Sequence, residues 1–296
     1  MFYFTYMKKV QFKSSYSQYL FLAPQLGILL IFLYWPIIQT FRDAFTMQDA
    51  FGFGTQFVWF DNFLFIFDDP AYWIAFKFTI IYSFVITLIT ASIGLLLAVQ
   101  QTMLCMAKCL QTLLFGICIA PAVVGVMANY FFSERFGLLY HLFNNLWGFN
   151  WYESVFDSYI YLIIAGSWKQ ISANFIFFLA GLQAIQRSVI EASMIDCKNS
   201  VRRFWTITFP LLMPTTFFLI IINITYAFFD TFGIIDTTTI GAPSGETRTL
   251  VYKAYMDGFR GLDLGSAGAQ SIMMMFIVLF ITIFQFRYIE GRIHYN

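Results

Sequence analysis

Residues 191–210 read Glu191-Ala192-Ser193-Met194-Ile195-Asp196-Cys197-Lys198-Asn199-Ser200-Val201-Arg202-Arg203-Phe204-Trp205-Thr206-Ile207-Thr208-Phe209-Pro210. This polar, basic stretch separates two strongly apolar ones. Just upstream, Ser188-x-x-Glu191 has the spacing of a capping box. The Ser188 hydroxyl would accept from the Glu191 N–H, and the Glu191 carboxylate would reach back to the Ser188 N–H. A carboxylate in the first turn also suits the helix dipole. The spacing predicts a short helix from about Val189 through Ile195, with Ile190 and Met194 on one face. Ala192 and Ser193 are small enough to let another backbone approach. Two readings stay open for such a segment: a membrane-surface helix linking two spans, or a docking helix for a soluble partner.

The flanking sequence establishes the membrane. The chain has 296 residues, of which 59% are hydrophobic, 21% aromatic and only 11% charged. A soluble domain carries about 25% charged residues to keep its surface hydrated, so a polytopic membrane protein is expected. A net charge of +1 gives no reason to expect nucleic acid as a partner. Two histidines, His141 and His294, and scattered Cys105, Cys109, Cys118 and Cys197 offer little for a metal site. No C-x-x-C pair occurs, and reduced, unpaired thiols are expected.

Crossing the hydrocarbon core takes about 20 apolar residues. Six windows meet that length: 19–41, 74–99, 110–132, 159–182, 210–235 and 267–289. They form one all-α transmembrane domain over 1–296, with a loop at about 183–209 between the fourth and fifth spans. Lys8, Lys9 and Lys13 ahead of the first window read as the flank of an uncleaved signal anchor. One set of loops holds Lys8, Lys9, Lys13, Lys108, Arg187, Lys198, Arg202, Arg203, Arg287 and Arg292. The opposite set holds Arg42, Arg135, Arg248, Lys253 and Arg260. The positive-inside rule puts the richer set, and with it both termini and the 183–209 loop, in the cytoplasm. Small pairs at Gly94/Ala98 and Gly265/Ala269 mark close helix packing, and Pro121 is expected to kink or break the third span.

Ionisable and amide side chains inside spans are costly and need a reason. Lys169 and Asn174 fall in the fourth span, and Asn223 and Asp230 in the fifth. Either Lys169 and Asp230 form an ion pair that fixes two helices, or the four residues line a translocation path in which Lys169 attracts an anion. Lys77, near a span end, is expected to snorkel to the interface. No G-x-x-x-x-G-K-[ST] sequence occurs, so this chain carries no phosphate-binding loop of its own.

The pattern E-A-x-x-x-D followed by I-x-x-P resembles the coupling loop of ABC importer permeases. Glu191, Ala192, Asp196, Ile207 and Pro210 match it. Ser193 stands where the family has Ala, Cys197 where it has Gly, Lys198 where it has Ala, and Phe209 where it has Leu. A glycine there would end the helix in a left-handed turn. With Cys197 the expectation is that the turn moves toward Asn199 or the helix continues. Gly241-Ala242-Pro243, Thr249-Leu250 and Tyr255 also resemble the family's stretch before the last span. More narrowly, Ser167-Trp168-Lys169-Gln170-Ile171-Ser172-x-Asn174-Phe175, Tyr226 to Phe232, Gly261 to Leu264 and Gln285 to Tyr288 are similar to the A-type permeases of sn-glycerol-3-phosphate importers.

The resemblance implies an ATPase-coupling role for Ser188, Glu191, Ala192, Ser193, Asp196 and Cys197. It implies a second homologous permease subunit, an ABC ATPase dimer and an extracytoplasmic solute-binding protein as partners, besides the lipid bilayer. It also implies no cofactor on this chain, with ATP and Mg on the ATPase, and no catalytic residue. The cargo implied is sn-glycerol-3-phosphate. A permease of the same type for a maltose-like sugar is the alternative. A secondary transporter or channel would leave the coupling-like loop unexplained.

Overall fold

The computed structural model describes residues 15–48, 55–104 and 120–289. Its elements in chain order are helices α1 (Ser15–Leu29) and α2 (Trp35–Ala44), a hairpin of β1 (Thr46–Gln48) and β2 (Thr55–Phe57), then α3 (Asp61–Asp68), α4 (Pro70–Leu104), α5 (Pro121–Phe131) and α6 (Leu138–Trp147). They continue with α7 (Val155–Ala184), α8 (Arg187–Asp196), α9 (Ser200–Arg203), α10 (Phe209–Phe229), α11 (Phe232–Thr237), α12 (Leu250–Tyr255) and α13 (Leu264–Ile289). The two strands are antiparallel, with Met47 opposite Gln56.

Among the described residues, five helical segments are long and apolar enough to cross a membrane: Phe21–Ala44, Pro70–Thr102, Val155–Ala184, Ser200–Phe229 and Leu264–Arg287. Five of the six expected spans therefore have a counterpart. Most of the first half of the remaining window, 110–132, lies outside the described residues, as do Cys105, Cys109 and Cys118. Its second half is α5, only 11 residues long. Pro121 sits at the first position of α5 behind an extended Ala120 (φ −63°, ψ 145°). A proline there costs nothing, because the N–H it lacks has no helical acceptor at a helix start.

The helical segment that carries the fifth span begins at Ser200, ten residues before the apolar window at Pro210. Arg202 and Arg203 are therefore helical, not loop. A π-helical turn at Phe204–Thr208 joins α9 to α10, with the Phe209 N–H reaching Phe204 O. The same device at Leu30–Tyr34 joins α1 to α2. In both cases a proline, Pro36 or Pro210, follows one residue after the wide turn closes. A wider turn accommodates the proline ring and its missing donor without ending the helix.

Helices α4 and α7 form the most extensive pair, with α10 packed on both. A β-carbon on Gly94 would lie 2.6 Å from the Asn174 Cβ, so glycine is what lets the two backbones meet. Ala98 is fully buried with Phe175, Phe178, Leu182, Leu212 and Leu219. Gly265 and Ala269 also face inward: a β-carbon on Gly265 would strike Thr46 O at 2.7 Å, and Ala269 is fully buried. Lys77 is exposed on α4.

The helix directions define two faces. α7 ends and α10 begins beside α8. α10 ends, and α4, α7 and α13 begin, at the opposite face, which carries the β-hairpin and α11–α12.

Candidate functional site

α8 starts at Arg187, with extended Gln186 as its cap residue and no side-chain cap. The expected capping box is not formed. Starting the helix two residues early places Ser188 inside the first turn and carries Glu191 beyond it. The Glu191 carboxylate instead meets Arg187 one turn back, Oε1 to Nε 3.4 Å, both side chains solvent-exposed. Ser188, Glu191, Ala192, Met194 and Ile195 all face outward, Ile195 at 87% exposure. Ser193 is buried on the other side, its hydroxyl donating to Ile190 O at 2.6 Å. Asp196 is the last residue of α8.

Cys197 follows as an extended residue (φ −136°, ψ 101°), its N–H still bonded to Ser193 O. Neither alternative expected at this point occurs. The helix does not continue, and Asn199 is not left-handed (φ −84°, ψ 116°). Asn199 has other work: its Oδ1 accepts from the Val201 and Arg202 N–H groups and so starts α9. An extended linker leaving α8 needs no glycine, which is why Cys197 fits. Arg203 closes the linker from outside, donating to Cys197 O at 3.4 Å. A Phe204–Trp205–Phe209 ring cluster, with Trp205 exposed, stands at the base of α10.

The intramembrane polar residues form a ladder between α7 and α10. Lys169 is 14 residues into α7, about 21 Å along its axis at 1.5 Å per residue. Its ammonium lies over the ring of Tyr226, 5.2 Å from the centroid, a cation–π contact. Among the described residues it has no hydrogen bond and no ionic partner. The Tyr226 hydroxyl is buried and likewise unpaired. Next comes a triad of amides. Gln170 Nε2 donates to Asn223 Oδ1 at 2.5 Å, Asn174 Nδ2 donates to the same oxygen at 3.0 Å, and Asn223 Nδ2 donates back to Asn174 Oδ1 at 2.9 Å. Asn174 also donates to Gln170 O at 2.8 Å, and both asparagines are fully buried.

A Lys169–Asp230 ion pair is absent. Asp230 has already left the helix as the C-cap of α10 and is exposed at its end, whereas the ammonium sits a turn deeper over Tyr226. The four polar residues picked from the sequence thus divide into a closed pair, Asn174 and Asn223, an unpaired cation, Lys169, and an end-of-helix carboxylate, Asp230. Gln170 and Tyr226 complete the ladder. Gln170 was detectable, being one turn before Asn174 on the same face. Tyr226 opens the 226–232 stretch quoted above, but nothing local marks its ring as the partner of Lys169.

At the opposite face Lys253 is buried between two carboxylates, 2.8 Å from Asp69 Oδ2 and 2.7 Å from Asp257 Oδ2. Gln270 Nε2 also donates to Asp257, at 2.5 Å. Asp69 in addition accepts from the Ala71 N–H at 2.9 Å, which anchors the start of α4. Burial alone would raise the Asp69 pKa, but the bonds from Lys253 and Ala71 outweigh it and hold the carboxyl below its ordinary value. Burial likewise works against the Lys253 charge, and its two carboxylates overcome it, leaving the ammonium above its ordinary value. This latch ties α3–α4 to α12–α13. Among the described residues no group of three or more His, Cys, Asp or Glu is placed to hold a metal.

Residues 93–295 match the family described as "Binding-protein-dependent transport system inner membrane component". The chain is 42% identical over 294 residues to the sn-glycerol-3-phosphate transport system permease protein UgpA of Rhizobium meliloti, covering 98% of this chain and all of that one. It is 42% identical over 289 residues to the protein of the same name from Escherichia coli O6:K15:H31, covering 96% of this chain and 98% of that one. Its fold is shared with a crystal structure of a bacterial ABC transporter involved in the import of the acidic polysaccharide alginate. That match has a TM-score of 0.75 at 22% identity, over 92% of this chain and 96% of the other. The same holds for a bacterial alginate ABC transporter in complex with an alginate pentasaccharide-bound periplasmic protein, with a TM-score of 0.76 over 91% and 92% of the two chains. An exposed helix between two spans, a fold shared with ABC transporters and near-full-length identity converge: the chain belongs to the binding-protein-dependent transport inner-membrane component family and is a multi-pass inner-membrane permease subunit of an ABC importer.

Proposed function

We propose that this permease imports sn-glycerol-3-phosphate, the solute for which its 42%-identical relatives are named. The observation that carries the reading is Lys169: an ammonium deep in a span, resting on an aromatic face and lacking a carboxylate. Such a charge costs at least about 2.5–3.5 kcal/mol on insertion scales, and an anionic cargo that neutralises it in passage supplies a reason to keep it. The amide triad beside it holds α7 and α10 in register, so that Lys169 and Tyr226 keep their relation. Asp230 lies at the mouth of this path.

The chain makes six crossings, the third assigned from the apolarity of 110–132, with both termini and α8 in the cytoplasm. The excess of Lys and Arg in the loops on the α8 side supports that orientation. The outward face of α8, with Glu191, Ala192, Met194 and Ile195, docks an ABC ATPase. Ser188 lies on the same outward face, Ser193 packs against its other side, and Asp196 and Cys197 end the helix. One ATPase dimer serves this chain and a second homologous permease. ATP and Mg are bound there, and a solute-binding protein delivers cargo at the opposite face. Movement of α8 with the ATPase reorients α7 against α10 and alternates access to Lys169.

The test is uptake by the reconstituted complex carrying Lys169→Met. Import of sn-glycerol-3-phosphate should fall at least about tenfold, while binding-protein-stimulated ATP hydrolysis persists. Wild-type uptake by the variant would refute the role of Lys169. Stimulation of the wild-type complex by maltose-loaded but not by sn-glycerol-3-phosphate-loaded binding protein would refute the cargo.

A further inference from the structure

Five cations fall in the segments assigned to the outside: Arg42, Arg135, Arg248, Lys253 and Arg260. Arg42, Arg135 and Arg260 are exposed, where water solvates them. Lys253 is buried and neutralised by two carboxylates. Arg248 alone is half-buried and has no ionic partner among the described residues. Its Nε is sealed from solvent without a hydrogen-bond acceptor. The hydroxyl of the next residue, Thr249, is also buried and unpartnered.

The loop before α12 is shaped around this side chain. Gly241 (φ +88°) and Gly245 (φ +83°) both adopt the left-handed region. A β-carbon at Gly241 would lie 2.6 Å from Arg248 Cγ and 2.7 Å from its Nε. One at Gly245 would touch Cζ at 3.5 Å. Gly241 thus clears the space that the Arg248 side chain occupies, while a β-carbon at Gly245 would be in ordinary contact with the guanidinium. The loop is fixed to the transport helices: the Leu250 N–H donates to Thr79 Oγ1 of α4 at 2.9 Å, and the Tyr159 hydroxyl of α7 donates to Glu246 O at 3.2 Å. Tyr159 precedes Lys169 by ten residues on α7, about 15 Å of helix rise.

A partly desolvated guanidinium without a carboxylate is a receptor for an anion, and its fork geometry suits phosphate oxygens. We propose that Arg248 is the outer anion station of this permease, receiving the phosphate group of a phosphate monoester at the mouth before it passes inward to Lys169. This rests on the anionic-cargo reading above and adds to it a second recognition point with its own residue. A cation in the loop bonded to the start of α7 and a second one deeper in α7 give a dianion successive partners without closing either site permanently with a fixed carboxylate.

Arg248 can be tested in the wild-type complex in nanodiscs by its rate of modification with phenylglyoxal, read by mass spectrometry. Millimolar inorganic phosphate and millimolar sn-glycerol-3-phosphate should each slow modification about fivefold or more, while glycerol does not, because only the anions occupy the guanidinium. Equal rates with and without the anions, or equal protection by glycerol, overturn the assignment. Protection by inorganic phosphate but not by the monoester would make this a free-phosphate site and overturn the hand-over role. In the same complex Arg248→Gln should lose about tenfold or more of uptake, and Arg248→Lys should fall between it and the wild type, since lysine keeps the charge but not the fork. Normal uptake by Arg248→Gln also overturns the proposal. Absence of sn-glycerol-3-phosphate uptake by the wild type would instead overturn the cargo reading, with the inorganic-phosphate arm still deciding whether Arg248 binds anions.

Discussion

Replacing Asn223 by leucine tests whether the amide triad is what clamps α7 to α10. Asn223 is fully buried and takes part in three side-chain hydrogen bonds: from Gln170, from Asn174, and back to Asn174. Interhelical hydrogen bonds inside a bilayer average about 0.6 kcal/mol in double-mutant cycles, so three of them contribute about 2 kcal/mol. The leucine also strands Gln170 Nε2 and Asn174 Oδ1 in an apolar setting, which costs about 1 kcal/mol or more for each group. Asn223→Leu should therefore destabilise the α7–α10 pair by about 2–4 kcal/mol, the lower figure corresponding to about a thirtyfold shift in the unfolding equilibrium. Steric trapping of the reconstituted permease measures this directly. The double variant Asn174→Leu with Asn223→Leu should be less damaged than the two single effects together, with a coupling of about 1 kcal/mol or more. A loss below about 0.5 kcal/mol, or strict additivity, would refute the clamp. The triad would then be incidental to the packing of Gly94 against Asn174.

Gly94→Leu should push α4 away from α7, because its β-carbon alone would meet Asn174 Cβ at 2.6 Å and Phe175 N at 3.0 Å. A loss of about 1–3 kcal/mol in the same assay is expected for such overpacking. The Asp69–Lys253–Asp257 latch predicts a pH window. Asp69 is lowered from 3.8, so its contribution is complete above that value and is lost as pH falls through the folded-state pKa. Lys253 is raised from 10.5, so its contribution is complete below that value and is lost as pH rises through its own folded-state pKa. Thermal stability should be flat between these limits, and Asp69→Asn should lower that plateau and weaken the acid limb. Ser188→Ala should leave stability unchanged, because the hydroxyl caps nothing. A measurable drop in melting temperature would show that the capping box forms after all.

Much of this architecture follows from composition alone. With 59% hydrophobic and 11% charged residues, the chain had to lie in lipid, where a continuous apolar run of about 20 residues satisfies its own backbone as a helix. Five of the six spans, the exposed polar helix between two of them, and the inward small pairs at Gly94/Ala98 and Gly265/Ala269 were legible because periodicity and residue size are local properties. The capping box was misplaced because a helix start depends on which backbone turn closes first. The helix starts at Arg187 instead, two residues before the expected start, and Glu191 meets Arg187 rather than Ser188. The helix of the fifth span reaches further back than its apolar window for a related reason: charge reads as loop, while Asn199 caps a helical turn that carries two arginines.

What the sequence determined by itself was therefore the solvent, most of the helices and the exposed polar helix between two spans. Pairing between residues distant in the chain was decided only in three dimensions. Asn174 and Asn223, 49 residues apart, satisfy each other, and Lys253 takes the carboxylate of Asp69 across the fold. Among the described residues Lys169 and Arg248 are left with none. No local pattern encodes that difference, because whether a buried charge is cancelled depends on which helices happen to face it.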